Sequence, residues 1–492
     1  MRYLKGLSGL GPRYGASRTN GWEIPGTNRD SEPSVSQSGI GVVMKPRTCS
    51  TNLERHLGLG RVFRTVAWIV LLLASAPAQV PDAPPGFEHI ESAFLTFLLA
   101  HSLPGASLAI ARNGRLILAR GYGLADVDLD LPVQPASTFR IGSVTKTITS
   151  IAVMKLVEAG KLDLDTPAFA LIPDIRPTSG RLGDARISRI TIRNLLTHSG
   201  GWDASISGEP VVAPQISQIA AETGGQFPPS PEAIISWVLN RPLDFDPGTR
   251  FAYSNFGFVV LGRVIEKVAG QPYDEFVQRE ILSPMGIQDM RPGRTILALR
   301  APREVHYYDY PGAPLVNSLM PSVSGPVPEP YSGILPFESI DSAGAWIASS
   351  IDLARIFVML DGQRPPAVLS PASIQQMVTP TLGVLGISPA GNPASYGLGL
   401  GIELTGADAE WWGDGGTWGT QAVVARLRNG WVWSAVFNSA PKDTLYTSSG
   451  APNFVASLQS VFSVEALESV SWPDVDLFPR YLGTPATPRL RR

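Results

Sequence analysis

Two stretches near opposite ends of the chain share one design, and they limit the possible fold more than any other feature. ASLAIARNGRLILARGYG (residues 106–123) sets two apolar runs around Asn113-Gly114. QAVVARLRNGWVWSAVFNS (residues 421–439) repeats the arrangement around Asn429-Gly430. Asn-Gly between apolar runs is the strongest short-range hairpin signal, because both residues accept the positive φ of a tight turn. An amphipathic helix over Phe87–Ala100 precedes the first hairpin, and a helix near Asn453–Phe462 follows the second. Helix-hairpin at one end and hairpin-helix at the other predict a single antiparallel sheet built from both ends and covered by helices.

The middle of the chain reads as mainly helical, which makes the fold class α/β (α+β) with an inserted helical domain. Ile151–Val157 is apolar almost all round, the mark of a buried helix, and Gly160 suits its C-cap. Phe258–Ala269 and Asp274–Leu282 are further helices. The Pro- and Gly-rich stretches 205–232 and 310–337 read as long surface loops, of a length more typical of lids or pocket walls than of plain connectors.

With 492 residues and 44% hydrophobic content the chain can bury a sizeable core in one large or two modest domains. A formal net charge of −2 gives no basic field and argues against a nucleic-acid partner. Cys49 is the single cysteine, and the five histidines show no ligand spacing, so no metal or other cofactor is implied.

The first eighty residues follow different rules. Residues 1–60 are rich in Gly, Ser, Arg and Asn without sustained apolar periodicity. They read as disordered, or as the product of a start codon placed too early, with Met44 before Lys45 and Arg47 as the natural start. Residues 61–78 follow with a basic flank (Arg61, Arg64), an apolar run (Thr65–Ala74) and Ala76-Pro77-Ala78 as an A-x-A cleavage pattern. That layout predicts a signal peptide cleaved near Ala78 and an exported, periplasmic or secreted product. The run falls short of the ~20 residues that span a bilayer, so no stable span is expected after cleavage. Residues 79–86 then form a spacer, 87–465 the folded domain and 466–492 a C-terminal tail.

Ser143 and Lys146, in FRIGSVTK, open the apolar helix of residues 151–157. At i and i+3 they share one helix face, with the serine at the N-terminal end, where free N–H groups favour developing negative charge. A buried lysine is costly unless paired or neutralised. One whose pKa is lowered by desolvation can take the proton of a serine hydroxyl and make it a nucleophile for acyl transfer. SxxK alone is weak, and Ser439–Lys442 is a decoy whose Pro441 suits a turn. Tyr253-Ser254-Asn255 supplies partners: the phenol of Tyr253 can relay protons, and Asn255 can hold Lys146 and a substrate carbonyl. Taken alone, the triplet also fits a buried tyrosine in a Pro-Gly turn.

These residues resemble the serine β-lactamase and penicillin-binding-protein-like hydrolases, in style the class C β-lactamases, D-alanyl-D-alanine carboxypeptidases and related esterases. The resemblance runs from about Phe87 to Phe462. It rests on FRIGSVTK, KLDLDTP (Lys161–Pro167), ITIRNLLTHSGGW (Ile190–Trp202), FDPGTRFAYSNFGFVVLGRVIEKVAG, ILSPMGIQDM, AGAWIASSIDLARI (Ala343–Ile356) and YGLGLG (Tyr396–Gly401). It implies an α/β sandwich with an inserted helical domain and an acyl-serine mechanism. Ser143 falls on the family's nucleophile, Lys146 on its base, and Tyr253 and Asn255 on its YxN motif. The backbone N–H groups of Ser143 and Gly416 fall on its oxyanion hole.

The chain departs from the family at the third motif, usually KTG or HxG. Within EWWGDGGTWGTQAVVARL, Gly413 falls where Lys or His is expected, with Asp414 and Gly415 after it; a one-residue shift puts Asp414 there instead. Neither supplies the cation that holds a substrate carboxylate, and an aspartate would repel one. The substrate expected is therefore a small ester, amide or peptide, leaning to esters with a neutral, partly apolar acyl group. Carboxypeptidase or β-lactamase activity, or a penicillin-binding sensor that is acylated without turnover, are the alternatives. Trp411, Trp412 and Trp418 are candidates for pocket walls or for strand-edge packing, and Arg426 or Arg428 for a substitute cation. His198 lacks a GxSxG elbow to serve and reads as structural. Nothing in the sequence sets an oligomeric state.

Overall fold

The structure is a computed structural model that describes residues 84–364, 367–388, 392–404, 409–441 and 452–483. The expected leader of residues 1–78, Cys49, most of the spacer and Lys442 lie outside the described residues.

A nine-stranded antiparallel sheet forms the centre. Its strands in chain order are β1 (Gly105–Arg112), β2 (Arg115–Asp126), β3 (Leu131–Pro132), β4 (Gly386–Ile387), β5 (Pro393–Tyr396), β6 (Gly401–Glu403), β7 (Trp411–Thr417), β8 (Thr420–Leu427) and β9 (Trp431–Phe437). In space they run β3-β2-β1-β9-β8-β7-β6-β5-β4. The two terminal hairpins thus meet as neighbours, with Ala106 opposite Phe437 and Arg112 opposite Trp431. Both turns have the geometry their residues suggest: φ is 48° and 77° at Asn113 and Gly114, and 62° and 74° at Asn429 and Gly430. The Asn113 N–H donates to the Gly430 carbonyl at 2.9 Å, tying one turn to the other.

The central strands are apolar on both faces because both faces are covered. Leu108, Ile110, Trp433 and Phe437 pack with α1 (Glu88–Ala100) and α5 (Pro452–Val461), through Phe94, Phe97, Phe454 and Leu458. Ala109, Ala111, Val432 and Val436 face the larger core, which holds α2 (Thr145–Glu158), α3 (Asn255–Ala269) and α4 (Ser350–Leu360). The result is the helix-covered antiparallel sheet with an inserted helical region that the sequence predicts. In α2 every residue from Thr145 to Met154 is buried, so the helix runs through the core and meets solvent only in its last turn.

Three boundaries differ from the sequence reading. α3 starts at Asn255, not Phe258, because the Ser254 hydroxyl accepts the Gly257 N–H at 3.3 Å and caps the helix earlier. The segment after Tyr273 is helical to Val277 and then a π-turn to Leu282. The domain edge expected at residue 465 falls inside a helix, Val464–Glu468, and the chain beyond it packs down. Leu467 and Phe478 are buried, and the Leu477 N–H donates to the Leu116 carbonyl at 2.7 Å. The expected loops carry elements of their own: Gln215–Glu222 is a helix anchored by Ile216 and Ile219, and Val316–Asn317 pairs with Pro326–Val327. Among the described residues no helix is long and apolar enough to cross a membrane.

Candidate active site

Ser143 lies in a 3₁₀ turn, Gly142–Val144, that leads directly into α2. This turn lies against β7 so closely that glycine is required on both sides. A Cβ on Gly142, itself at φ +49°, would stand 2.8 Å from the Gly416 nitrogen; one on Gly415 would stand 2.4 Å from the Ser143 nitrogen. Lys146 follows on the first turn of α2. Tyr253 and Asn255 flank the Ser254 cap of α3, so the phenol leaves from the extended segment and the amide from the first helical residue.

These four side chains, distant in sequence, converge. The Ser143 Oγ and Tyr253 OH are 2.5 Å apart. The Lys146 Nζ lies 2.9 Å from Ser143 Oγ, 2.7 Å from Asn255 Oδ1 and 2.7 Å from the Ala343 carbonyl. Lys146 is 1% exposed, and this burial lowers its pKa to about 7, against the opposing pull of the Glu209 and Asp414 carboxylates. Near neutrality a large share of the amine is therefore uncharged. Asn255 Oδ1 and the Ala343 carbonyl can only accept, so they take the two hydrogens of the neutral amine. The lone pair is then left facing Ser143. Tyr253 behaves oppositely: desolvation at the site pushes its phenol above the ordinary value, the hydrogen bond with Ser143 opposes this, and Asp414 and Glu209 add to the rise. Although 40% of Tyr253 remains exposed, two nearby carboxylates also favour its protonated form.

Sequence reasoning missed Glu209. It comes from the Pro-rich stretch 205–232 and accepts from Asn255 Nδ2 at 3.0 Å, which turns Oδ1 of that amide toward Lys146. A long loop suggested a pocket wall, but no spacing singled out one carboxylate in it. The Ala343 carbonyl carries no sequence signal at all.

The third-motif segment is β7. Ser143, Tyr253, Tyr396, Trp412 and the stretch Gly413–Gly416 line a cleft of roughly 450 Å³. A Cβ at Gly413 would face Thr147, Phe357 and Val144, and no cation occupies that place. Asp414 is exposed at the cleft. Trp412 alone of the three tryptophans is a wall: Trp411 is buried against Phe357, and Trp418 is not part of the lining. Neither arginine reaches the site. Arg426 pairs with Asp361 at 2.9 Å, and Arg428 pairs with Glu410 and Glu465. His198 is buried beneath the site, its Nδ1 accepting the Ser254 N–H at 3.1 Å and its ring 4.4 Å from that of Tyr253. Burial, with Lys146 nearby, holds it well below its usual pKa and therefore neutral. It supports the Tyr253–Asn255 segment and has no hydrogen bond to Ser143.

A model of the Beta-lactamase family matches residues 87–448. Esterase EstB of Burkholderia gladioli is 32% identical over 211 residues, 42% of this chain and 52% of EstB. Protein flp of Staphylococcus aureus (strain N315) is 28% identical over 183 residues, 37% of this chain and 34% of flp. The chain thus matches about half of one of these relatives and a third of the other. An octameric penicillin-binding protein homologue from Pyrococcus abyssi shares the fold, with a TM-score of 0.57 at 24% identity over 78% of this chain and 79% of its own.

Proposed function

This chain belongs to the beta-lactamase family, and from that premise we propose that it is an exported serine hydrolase cleaving esters, and secondarily amides, through an acyl-Ser143 intermediate. Export rests on residues 61–78 alone. The reaction rests chiefly on one observation: the Lys146 amine, buried and with a pKa near neutrality, stands 2.9 Å from Ser143 Oγ. In the proposed cycle Ser143 Oγ attacks the substrate carbonyl carbon and its proton passes to the neutral Lys146 amine. The backbone N–H groups of Ser143 and Gly416, both on the cleft wall, stabilise the oxyanion. As the intermediate collapses, the bond to the leaving group breaks and Tyr253 delivers the proton from Lys146 to that group. Water then attacks the acyl carbon, gives its proton back along the same route, and releases the acid and free Ser143. Tyr253 serves as relay and Lys146 as base, because the phenol holds its proton at neutral pH while a large share of the amine has lost its own.

The cleft favours substrates without a free carboxylate, since its lining holds Asp414 and no Lys, Arg or His among the described residues. EstB, an esterase by name, agrees with this preference. The test is the intact mass of the chain after brief exposure to p-nitrophenyl butyrate or to benzylpenicillin. A transient butyryl adduct with release of p-nitrophenol, both missing in Ser143→Ala, and little penicillin adduct are expected. A lasting penicillin adduct without turnover would instead establish a penicillin-binding sensor.

Glu209 is a positioning residue in this scheme, acting through Asn255. Lys146 must be neutral to act as base, so ester turnover is expected to be present above its pKa and to fall as pH drops through about 7. Glu209→Gln removes a carboxylate that raises that pKa, so the acid limb of the pH profile should move to lower pH. The plateau should also fall by roughly tenfold, because a glutamine no longer dictates the Asn255 orientation. A residue that merely props the loop would lower the plateau without moving the limb.

A further inference from the structure

Besides the tyrosines, the cleft lining contains one ionisable side chain, Asp414, among the described residues. Three aromatic residues, Tyr253, Tyr396 and Trp412, line the same space. The amine nearest to them, Lys146, is enclosed by Ser143, Asn255 and the Ala343 carbonyl and works as a neutral base in the proposed cycle. The arginines that could have balanced Asp414 are committed to Asp361, Glu410 and Glu465. Asp414 is the one carboxylate of the lining among the described residues; desolvation in the cleft pushes its carboxyl above the usual range, while the Trp412 side chain hydrogen-bonded to it and the nearby Lys146 favour the charged form. The Asp414 field reaches the reacting groups, since it bears on Lys146, Tyr253 and Tyr396 alike.

We infer that the cleft selects esters or amides that carry a positively charged ammonium group, held by the Asp414 carboxylate beside the rings of Tyr253, Tyr396 and Trp412. Aromatic faces attract a partly desolvated cation, and quaternary ammonium groups suit such walls because they do not need hydrogen-bond acceptors. The carboxylate supplies the net charge that aromatic rings lack. An ammonium bound there also disfavours protonation of Lys146, so substrate charge and base neutrality reinforce each other. This inference rests on the hydrolase reading above and narrows its substrate class.

The test compares acetylthiocholine with its uncharged isostere, 3,3-dimethylbutyl thioacetate, on the full chain. The expected kcat/KM ratio favours the cationic thioester by about tenfold or more and drops toward one in Asp414→Asn. A wild-type ratio near or below one overturns the inference while leaving the hydrolase reading intact. If neither thioester is cleaved, the hydrolase reading is decided by p-nitrophenyl butyrate as above, and calorimetric titration of the Ser143→Ala chain with tetramethylammonium chloride decides the ammonium site by itself. Saturable binding that is lost when Asp414→Asn is added supports the site, and the absence of saturable binding overturns it.

Discussion

Lys146→Arg is expected to lower ester turnover by about three orders of magnitude, close to the loss in Ser143→Ala, without unfolding the chain. Arginine retains the positive charge and offers more donors than lysine, but it does not release a proton at any working pH. The substitution therefore separates two roles for Lys146, a fixed cation that orients Ser143 and a base that accepts its proton. Activity within tenfold of wild type would leave Tyr253 as the only base at hand, and the proposed assignment would be wrong. Lys146→Met adds a stability readout. The folded pKa of Lys146, about 7, lies below the ordinary lysine value of 10.5. Below pH 7 both folded and unfolded chains carry the proton, so the full cost of burying the cation is present. Between 7 and 10.5 the unfolded chain binds a proton the folded one lacks, and stability rises with pH across that window. Lys146→Met should thus unfold at a higher temperature than wild type at pH 6, with the gap closing toward pH 10. An inactive protein more stable than its parent is what a strained reaction centre predicts.

How much of this was legible in the sequence depends on the range over which each signal acts. The two Asn-Gly hairpins were legible because a tight turn is a local matter, decided by two residues that tolerate positive φ. That they lie side by side followed from symmetry of design, not from any contact visible in one dimension. Ser143 and Lys146 were legible as a pair because helical spacing places them together, whereas Tyr253 and Asn255 needed the family resemblance to be assigned to the same site. Glu209 was invisible, since its partner Asn255 lies 46 residues away and nothing in the stretch around it marks one acid over another. The tryptophans show the opposite difficulty. WW was conspicuous, but strand alternation sends Trp411 into the core and Trp412 to the cleft, and composition does not reveal which. The edge expected at residue 465 failed for a related reason: Leu467 and Phe478 are too sparsely spaced to announce a packed segment, yet each fills a place prepared by the sheet and its helices.

Arg140, three residues before Ser143, carries the largest stability effect expected in the molecule. It is 2% exposed, with Nη1 donating to the Pro330 carbonyl at 2.7 Å and Nη2 to the carbonyls of Arg294 at 2.7 Å and Thr295 at 3.2 Å. Its guanidinium lies 4.4 Å from the Tyr307 ring centroid, 4.5 Å from that of Phe337 and 4.0 Å from the Glu304 carboxylate, which is itself buried. Arg140→Met fills much of the same volume but removes every donor at once. Three carbonyls lose a partner and Glu304 is left as a buried charge without its cation, a change that typically costs about 3–5 kcal/mol. Denaturant unfolding should show a loss of that size, and Glu304→Gln in the Arg140→Met background should recover part of it by removing the stranded charge. No recovery in the double variant would mean that the carbonyls, not the charge pair, dominate. The reach of this cage extends to the proposed reaction centre. The Arg140 N–H donates to Tyr307 OH at 2.8 Å, and its carbonyl accepts from Thr420 Oγ1 at 2.7 Å, which pins the strand entering the Ser143 turn to the end of β7 and β8. Loosening that strand should move Ser143 relative to Gly416. At temperatures where Arg140→Met is still folded, its ester kcat should therefore fall more than its KM rises, because the proposed oxyanion donors would serve the transition state rather than the bound substrate.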